Sequence, residues 1–156
     1  MRAKYLQNRG SVLFWTTVVV GILDAVAAMT VYYVFFNLKP MQVYQYVASG
    51  IMGKTAYDGG AASAWVGVGL HIIIAFAATY IFFILSPRLK WIRENVIVAG
   101  MLYGLLIWVV MNLIIVPLSL IEPAEFNPVD LVVVIWHMTV VGLPISLLIN
   151  KYYENT

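Results

Sequence analysis

Residues 12–36 read VLFWTTVVVGILDAVAAMTVYYVFF, an apolar run with one carboxylate, Asp24, at its midpoint. At about 1.5 Å rise per helical residue, a run of this length crosses a hydrocarbon layer of roughly 30 Å. An ionisable group at that depth turns toward a protein interior, protonated or paired, and raises a functional hypothesis. Three further runs, at residues 61–85, 95–117 and 129–149, are also long enough to span. Lipid offers the backbone no hydrogen-bond partners, so such runs are helices. The expected fold is an all-α integral membrane four-helix bundle, one domain over residues 1–156.

Composition points the same way. Hydrophobic residues make up 63% of the chain and charged residues 10%, against roughly 45–50% and 25% in ordinary soluble domains. Without cysteine there is no disulfide framework, thiolate metal site or thiol redox chemistry. A formal charge of +2 does not suit nucleic acid as a partner, and the basic residues flank the apolar runs instead of forming a stripe. The opening MRAKYLQNRG resembles the start of a signal peptide. The run after it is longer than an h-region and contains an acid, so the expectation is a retained first span.

Lys and Arg placement predicts an orientation. Arg2, Lys4, Arg9, Arg88, Lys90, Arg93 and Lys151 fall on one side; Lys39 and Lys54 fall on the other, beside Asp58, Glu122, Glu125 and Asp130. Both termini and the middle loop are therefore expected in the cytoplasm. Trp15, Trp65 and Trp91 stand near span ends, where interfacial aromatics belong. Between the first two spans, residues 40–53 carry Met41, Tyr44, Val47, Ala48, Ile51 and Met52 at helical spacing, with Gln42, Gln45 and Ser49 on another face. Pro40 suits a first turn and Gly53 an end. This predicts a short amphipathic helix lying on the outer interface or capping the bundle mouth.

Thr17, Gly21, Asp24, Ala25 and Ala28 share one face of the first helix; Ser63, Gly67, His71, Ala75 and Ala78 share one face of the second. Small residues allow close helix approach in lipid, so Asp24 and His71 are expected to face protein. The third span carries Gly100 and Gly104, a GxxxG best read as tight packing, and then Asn112; the fourth carries His137, Gly142 and the kinking Pro144. Asp24, His71 and His137 fall within a few Å of one depth at about 1.5 Å per residue, with Asn112 further out. These four are the candidate ligand-binding or proton-relay residues.

A carboxylate beside an imidazole can pass a proton, which is the logic of a small transporter or proton-coupled carrier. The alternatives are a structural cluster in an accessory or scaffold protein that assembles with itself or with a larger membrane complex, and a haem or metal protein. His71 and His137 as axial haem ligands, or Asp24, His71 and His137 around a divalent ion, are the weaker alternatives. No HExxH, GxSxG or P-loop motif is present, so the sequence leans away from an enzyme and from a resident cofactor.

Ala48-Ser49-Gly50, Gly59-Gly60, His71, Tyr103-Gly104, Met111-Asn112 and Val116-Pro117-Leu118-Ser119 together resemble a group of small, uncharacterised bacterial inner-membrane proteins with four predicted helices. The likeness covers roughly residues 45–119. It implies the four-helix architecture and a bacterial cytoplasmic membrane. It implies no activity and transfers no catalytic residue.

Overall fold

The computed structural model describes residues 8–122 and 126–154. Arg2, Lys4 and Glu125, which entered the charge comparison, lie outside the described residues. The elements are α1 (Arg9–Phe36), α2 (Pro40–Met52), α3 (Gly60–Leu85), α4 (Lys90–Glu94), α5 (Val96–Leu118) and α6 (Val129–Tyr153), with a 3₁₀ turn at Gly53–Tyr57 and no strand among the described residues. Four of them, α1, α3, α5 and α6, are long and apolar enough to cross a membrane, with mean hydropathy peaking at 2.1, 2.4, 2.3 and 2.2.

Local chemistry sets the helix ends. Asn8 caps α1, its Oδ1 accepting from Ser11 N at 2.7 Å, so the helix starts ahead of the apolar run at residue 12. Asn37 ends α1 in the left-handed region at φ 53°, a conformation Asn tolerates. Pro40 occupies the first turn of α2, and Gly53 at φ 59° ends it. The last span runs on to Tyr153, past the expected limit at residue 149.

Two prolines reshape the long helices. Proline has no N–H and crowds the carbonyl four residues back. Immediately before Pro117, residues Met111–Ile115 widen into a π-helical turn; before Pro144, His137–Gly142 do the same. α6 continues well past Pro144, whereas α5 ends at Leu118, one residue beyond Pro117. Each widened turn holds a candidate polar residue, Asn112 in one and His137 in the other, and π turns recur at functional sites.

The helices form an arc in the order α3, α1, α6, α5. Close backbone approaches join α3 to α1, α1 to α6 and α6 to α5, while α3 and α5 make hardly any. The arc is pinched shut at the end that carries Arg9 and Tyr153. There Tyr103 OH donates to Ala78 O at 2.6 Å and packs edge-on against Phe82 at 4.8 Å, and Tyr153 OH donates to Phe83 O at 2.9 Å. Val12, Phe82, Ile145 and Ile149 are fully buried in the core at this end. At the opposite end the helices splay, and α2 lies across the opening.

The α5–α6 crossing depends on glycine. A Cβ on Gly104 would run into the His137 carbonyl, and one on Gly142 into the Gly100 carbonyl and the Gly104 backbone. The GxxxG is therefore an intramolecular contact, and it sets where the backbone of His137 sits. Similarly, a Cβ on Gly67 would collide with the Tyr44 carbonyl, so α2 rests backbone-on-backbone on α3.

The apolar stripe of α2 is only partly turned inward: Ala48 is fully buried but Met41 is exposed, whereas Gln45 and Ser49 of the polar face are 3% and 2% exposed. The reason is hydrogen bonding: Gln45 Nε2 donates to Gly60 O at 3.1 Å and lies 3.4 Å from Ser63 Oγ, whose hydroxyl donates to Ala56 O. Burying an amide is tolerated where it finds hydrogen-bond partners, here at the start of α3. The apolar side of α2 that faces inward is Val43, Val47 and Gly50.

We expect Gly104→Ala and Gly142→Ala each to cost about 1–3 kcal/mol by overpacking. Gly69→Ala, where a Cβ meets open space, should be close to neutral. Thermal or denaturant unfolding of the detergent-solubilised variants measures the contrast.

Candidate functional site

A cavity of about 340 Å³ opens where the arc splays. Asp24 from α1, His71 from α3, Asn112 from α5 and His137 from α6 all line it, and α2 covers it through Val43, Tyr46, Val47 and Gly50. The volume falls in the range of small-molecule sites. Most of the remaining wall is aliphatic or aromatic, and no Lys or Arg lines it.

Asp24 has two neighbours. Trp136 Nε1–H donates to its Oδ1 at 2.8 Å. Its Oδ2 faces His71 Nδ1 at 3.9 Å, with the two side chains 24% and 16% exposed. That separation is an ion-pair contact, not a hydrogen bond, and a small rotation of either side chain closes it. On the far side of the ring, His71 Nε2 lies 2.9 Å from Gly21 O. A carbonyl only accepts, so Nε2 carries a hydrogen and Nδ1 is the nitrogen left to exchange a proton with Asp24. The pair thus holds one proton, on Nδ1 with the acid ionised or on Oδ2 with the imidazole neutral, or it holds none and carries a net negative charge.

The surroundings fix the orientation of these groups. Tyr32 packs edge-on to the Trp136 indole at 6.4 Å, and His137 stacks on it at 5.2 Å. Tyr44 of α2 meets the His71 ring edge-on at 6.2 Å. Burial, then the Asp24 charge, push the Tyr44 hydroxyl above its ordinary range; burial, then Tyr57 and Asp130, do the same to Tyr46. Both stay neutral phenols that can donate or accept. Gly21 and Ala75 leave only ordinary van der Waals room between α1 and α3, which is what brings the Gly21 carbonyl onto His71.

Of the four candidate residues, only Asp24 and His71 face each other. His137 Nδ1 lies 2.8 Å from its own helix's Val133 O, and Asn112 Nδ2 donates to Trp108 O at 3.0 Å. Each turns back on the carbonyl four residues earlier at a π-widened turn, so they line the cavity without bonding to Asp24. Trp136 is the partner that sequence reasoning missed. Its position inside a span, unlike Trp15, Trp65 and Trp91 at the ends, was the available signal.

The two-histidine, one-carboxylate alternative does not assemble: among the described residues no group of three or more His, Cys or acidic side chains could hold a metal ion. A bis-histidine haem would need His71 Nε2 to abandon Gly21 O or Nδ1 to turn from Asp24. The residues as placed fit neither group.

At the open end, α2 is clasped to the segment after α5. Leu120 N donates to Gly50 O at 3.0 Å, and Lys54 Nζ meets Glu122 Oε1 at 2.8 Å. Glu122 raises the Lys54 ammonium above its usual range through that hydrogen bond and its charge. Both side chains are largely exposed, where such a pair contributes little stability; its role is to mark where the lid meets the rim.

No protein-family model matches the chain, and no curated protein or solved structure matches it either.

Trp136→Phe keeps the aromatic packing and deletes the donor. We expect it to cost about 1–3 kcal/mol in an otherwise unchanged chain and much less in an Asp24→Asn background. A double-mutant cycle on unfolding of the purified protein measures the coupling.

Proposed function

We propose that this chain is a multi-pass protein of a bacterial cytoplasmic membrane, with both termini cytoplasmic, that works as a small proton-coupled carrier. The membrane assignment is supported by the four apolar helices. The excess of Lys and Arg at the ends carrying Arg9, Arg88, Arg93 and Lys151 supports the orientation. The bacterial membrane rests on the resemblance over residues 45–119.

The observation that supports the functional reading is the Asp24–His71 pair, whose facing oxygen and nitrogen lie 3.9 Å apart beside a cavity. A purely structural polar pair gains nothing from an adjoining cavity; it is best placed in a dry contact, satisfied on every side. Here the carboxylate has one firm donor, Trp136, and the second oxygen is free to trade its proton partner. An intramembrane acid with an imidazole at hand and space beside it is the arrangement proton relays and carriers use. The lid helix α2, held to α3 by Gly67 and to the far rim by Gly50, closes the outer side, and tight packing from Tyr103 to Tyr153 closes the other. Alternating access then requires the two closures to open in turn. The π turns before Pro117 and Pro144 are where α5 and α6 have the least regular bonding to break.

In proteoliposomes containing a trapped pH dye and challenged in turn with organic cations, organic anions and neutral solutes, one class is expected to drive proton movement through wild-type protein and Asp24→Asn to abolish that movement. Movement unchanged in Asp24→Asn would dismiss the carrier reading. Reporter fusions give an independent check on orientation: a fusion within residues 86–94 should report a cytoplasmic location, and a periplasmic signal there would reverse the topology.

A further inference from the structure

Next to the cavity lies a second space of about 480 Å³, lined by Tyr32, Phe36, Tyr46, Trp108, Phe126 and Asp130 among others. Tyr32, Val43, Tyr46, Asn112, Val116 and Val133 line both spaces, so the two share a wall and lie side by side. The outer space is a vestibule at the start of α6, and the inner one ends at Asp24. Each contains one carboxylate, Asp130 or Asp24, and neither is lined by Lys or Arg. Asp130 Oδ2 accepts from Asn127 N at 2.7 Å, which orients the group and leaves its negative charge uncompensated by any cation in the vestibule wall. The carboxylates lining the two spaces thus face no lysine or arginine, and the remaining walls are predominantly apolar and aromatic.

We propose, building on the proton-exchange reading above, that the solute carried is a lipophilic organic monocation, an ammonium or phosphonium bearing apolar substituents. An anion would meet two carboxylates and no fixed positive partner. A small inorganic cation needs several oxygen ligands around it, and the wall supplies mostly carbon. A bulky cation matches what is present: aromatic faces on the way in, apolar side chains around its substituents, and Asp24 as counter-charge at the end. The exchange balances as one cation in and one proton out: the neutral, singly protonated Asp24–His71 pair gives up its proton to water, and the net negative charge that this leaves is the counter-charge for the cation. The titratable groups facing Asp24 are His71 from α3, Tyr32 from α1, Tyr44 and Tyr46 from α2, and His137 and Asp130 from α6, while α5 offers only neutral Asn112. Of these, His71 alone is placed to share the proton.

The test is calorimetric titration of the full-length protein in mild detergent with tetraphenylphosphonium, in buffers of different ionisation enthalpy. The expected result is binding that releases about one proton and tightens about tenfold for each unit rise in pH while the pair is protonated. Tetraphenylborate, an anion of the same shape, should not bind. Asp24→Asn should remove binding, Asp24→Glu should retain pH-linked binding, and Asp130→Asn should weaken it about 3- to 10-fold with the proton count unchanged. Binding of the anion as tightly as the cation, binding without proton release, or full binding by a folded Asp24→Asn protein would each overturn the proposal. If wild-type protein ignores the phosphonium yet moves protons in an Asp24-dependent way in vesicles, the substrate class is wrong and the exchange reading stands. Loss of both overturns both.

Discussion

A carboxylate half-way along an apolar helix has to find its partners on other helices, because its own backbone groups are already bonded to one another. In this protein that requirement is met from two sides. Trp136 reaches Asp24 from α6 and His71 reaches it from α3, so one side chain on α1 sets the register of both neighbours. Low local polarity strengthens these contacts and makes their loss costly. The arc order α3, α1, α6, α5 follows: α1 sits between the two helices its acid needs, and α5 packs mainly on α6, meeting α3 through Tyr103 at the closed end.

The α5–α6 packing rests on close backbone approach, with one hydrogen bond, from Ser146 Oγ to Val96 O at 2.8 Å, across it. Gly100, Gly104 and Gly142 remove the side chains that would hold the backbones apart. The same close approach fixes the His137 carbonyl against Gly104, in a turn that Pro144 has already forced out of regular α geometry. Proline and glycine thus act together. One loosens the turn, the other clamps it, and the result turns His137 and Asn112 back on their own helices and away from Asp24. The cavity survives because those two polar groups satisfy themselves locally and leave the space beside the Asp24–His71 pair unfilled.

The lid helix shows how a buried amide can join an amphipathic pattern. Ala48 of its apolar stripe is fully buried and Val47 and Ile51 line the cavity, while Met41 is exposed. Gln45, from the polar face, is buried with them because its amide reaches the Gly60 carbonyl and the Ser63 hydroxyl. Turning that face inward also brings Tyr44 onto the His71 ring and Val43, Val47 and Gly50 over the cavity. The position of α2 links the open end of the bundle to the Asp24–His71 pair through the Tyr44 ring.

Four long helices, a short one between the first two, and the inward aim of Asp24 and His71 were legible in residues 12–36, 61–85, 95–117 and 129–149, because apolar length and i, i+4 small-residue stripes are properties of single helices. The GxxxG at Gly100 and Gly104 also announced a close crossing, though not its partner Gly142. Hidden from the sequence were the Trp136 bond to Asp24, the self-bonding of Asn112 and His137, the inward face of α2 and the gap between α3 and α5. Each of these depends on how far one helix is rotated and displaced against another. That is set by glycine contacts, proline-widened turns and hydrogen bonds between residues distant in sequence, and a one-dimensional pattern carries no record of it.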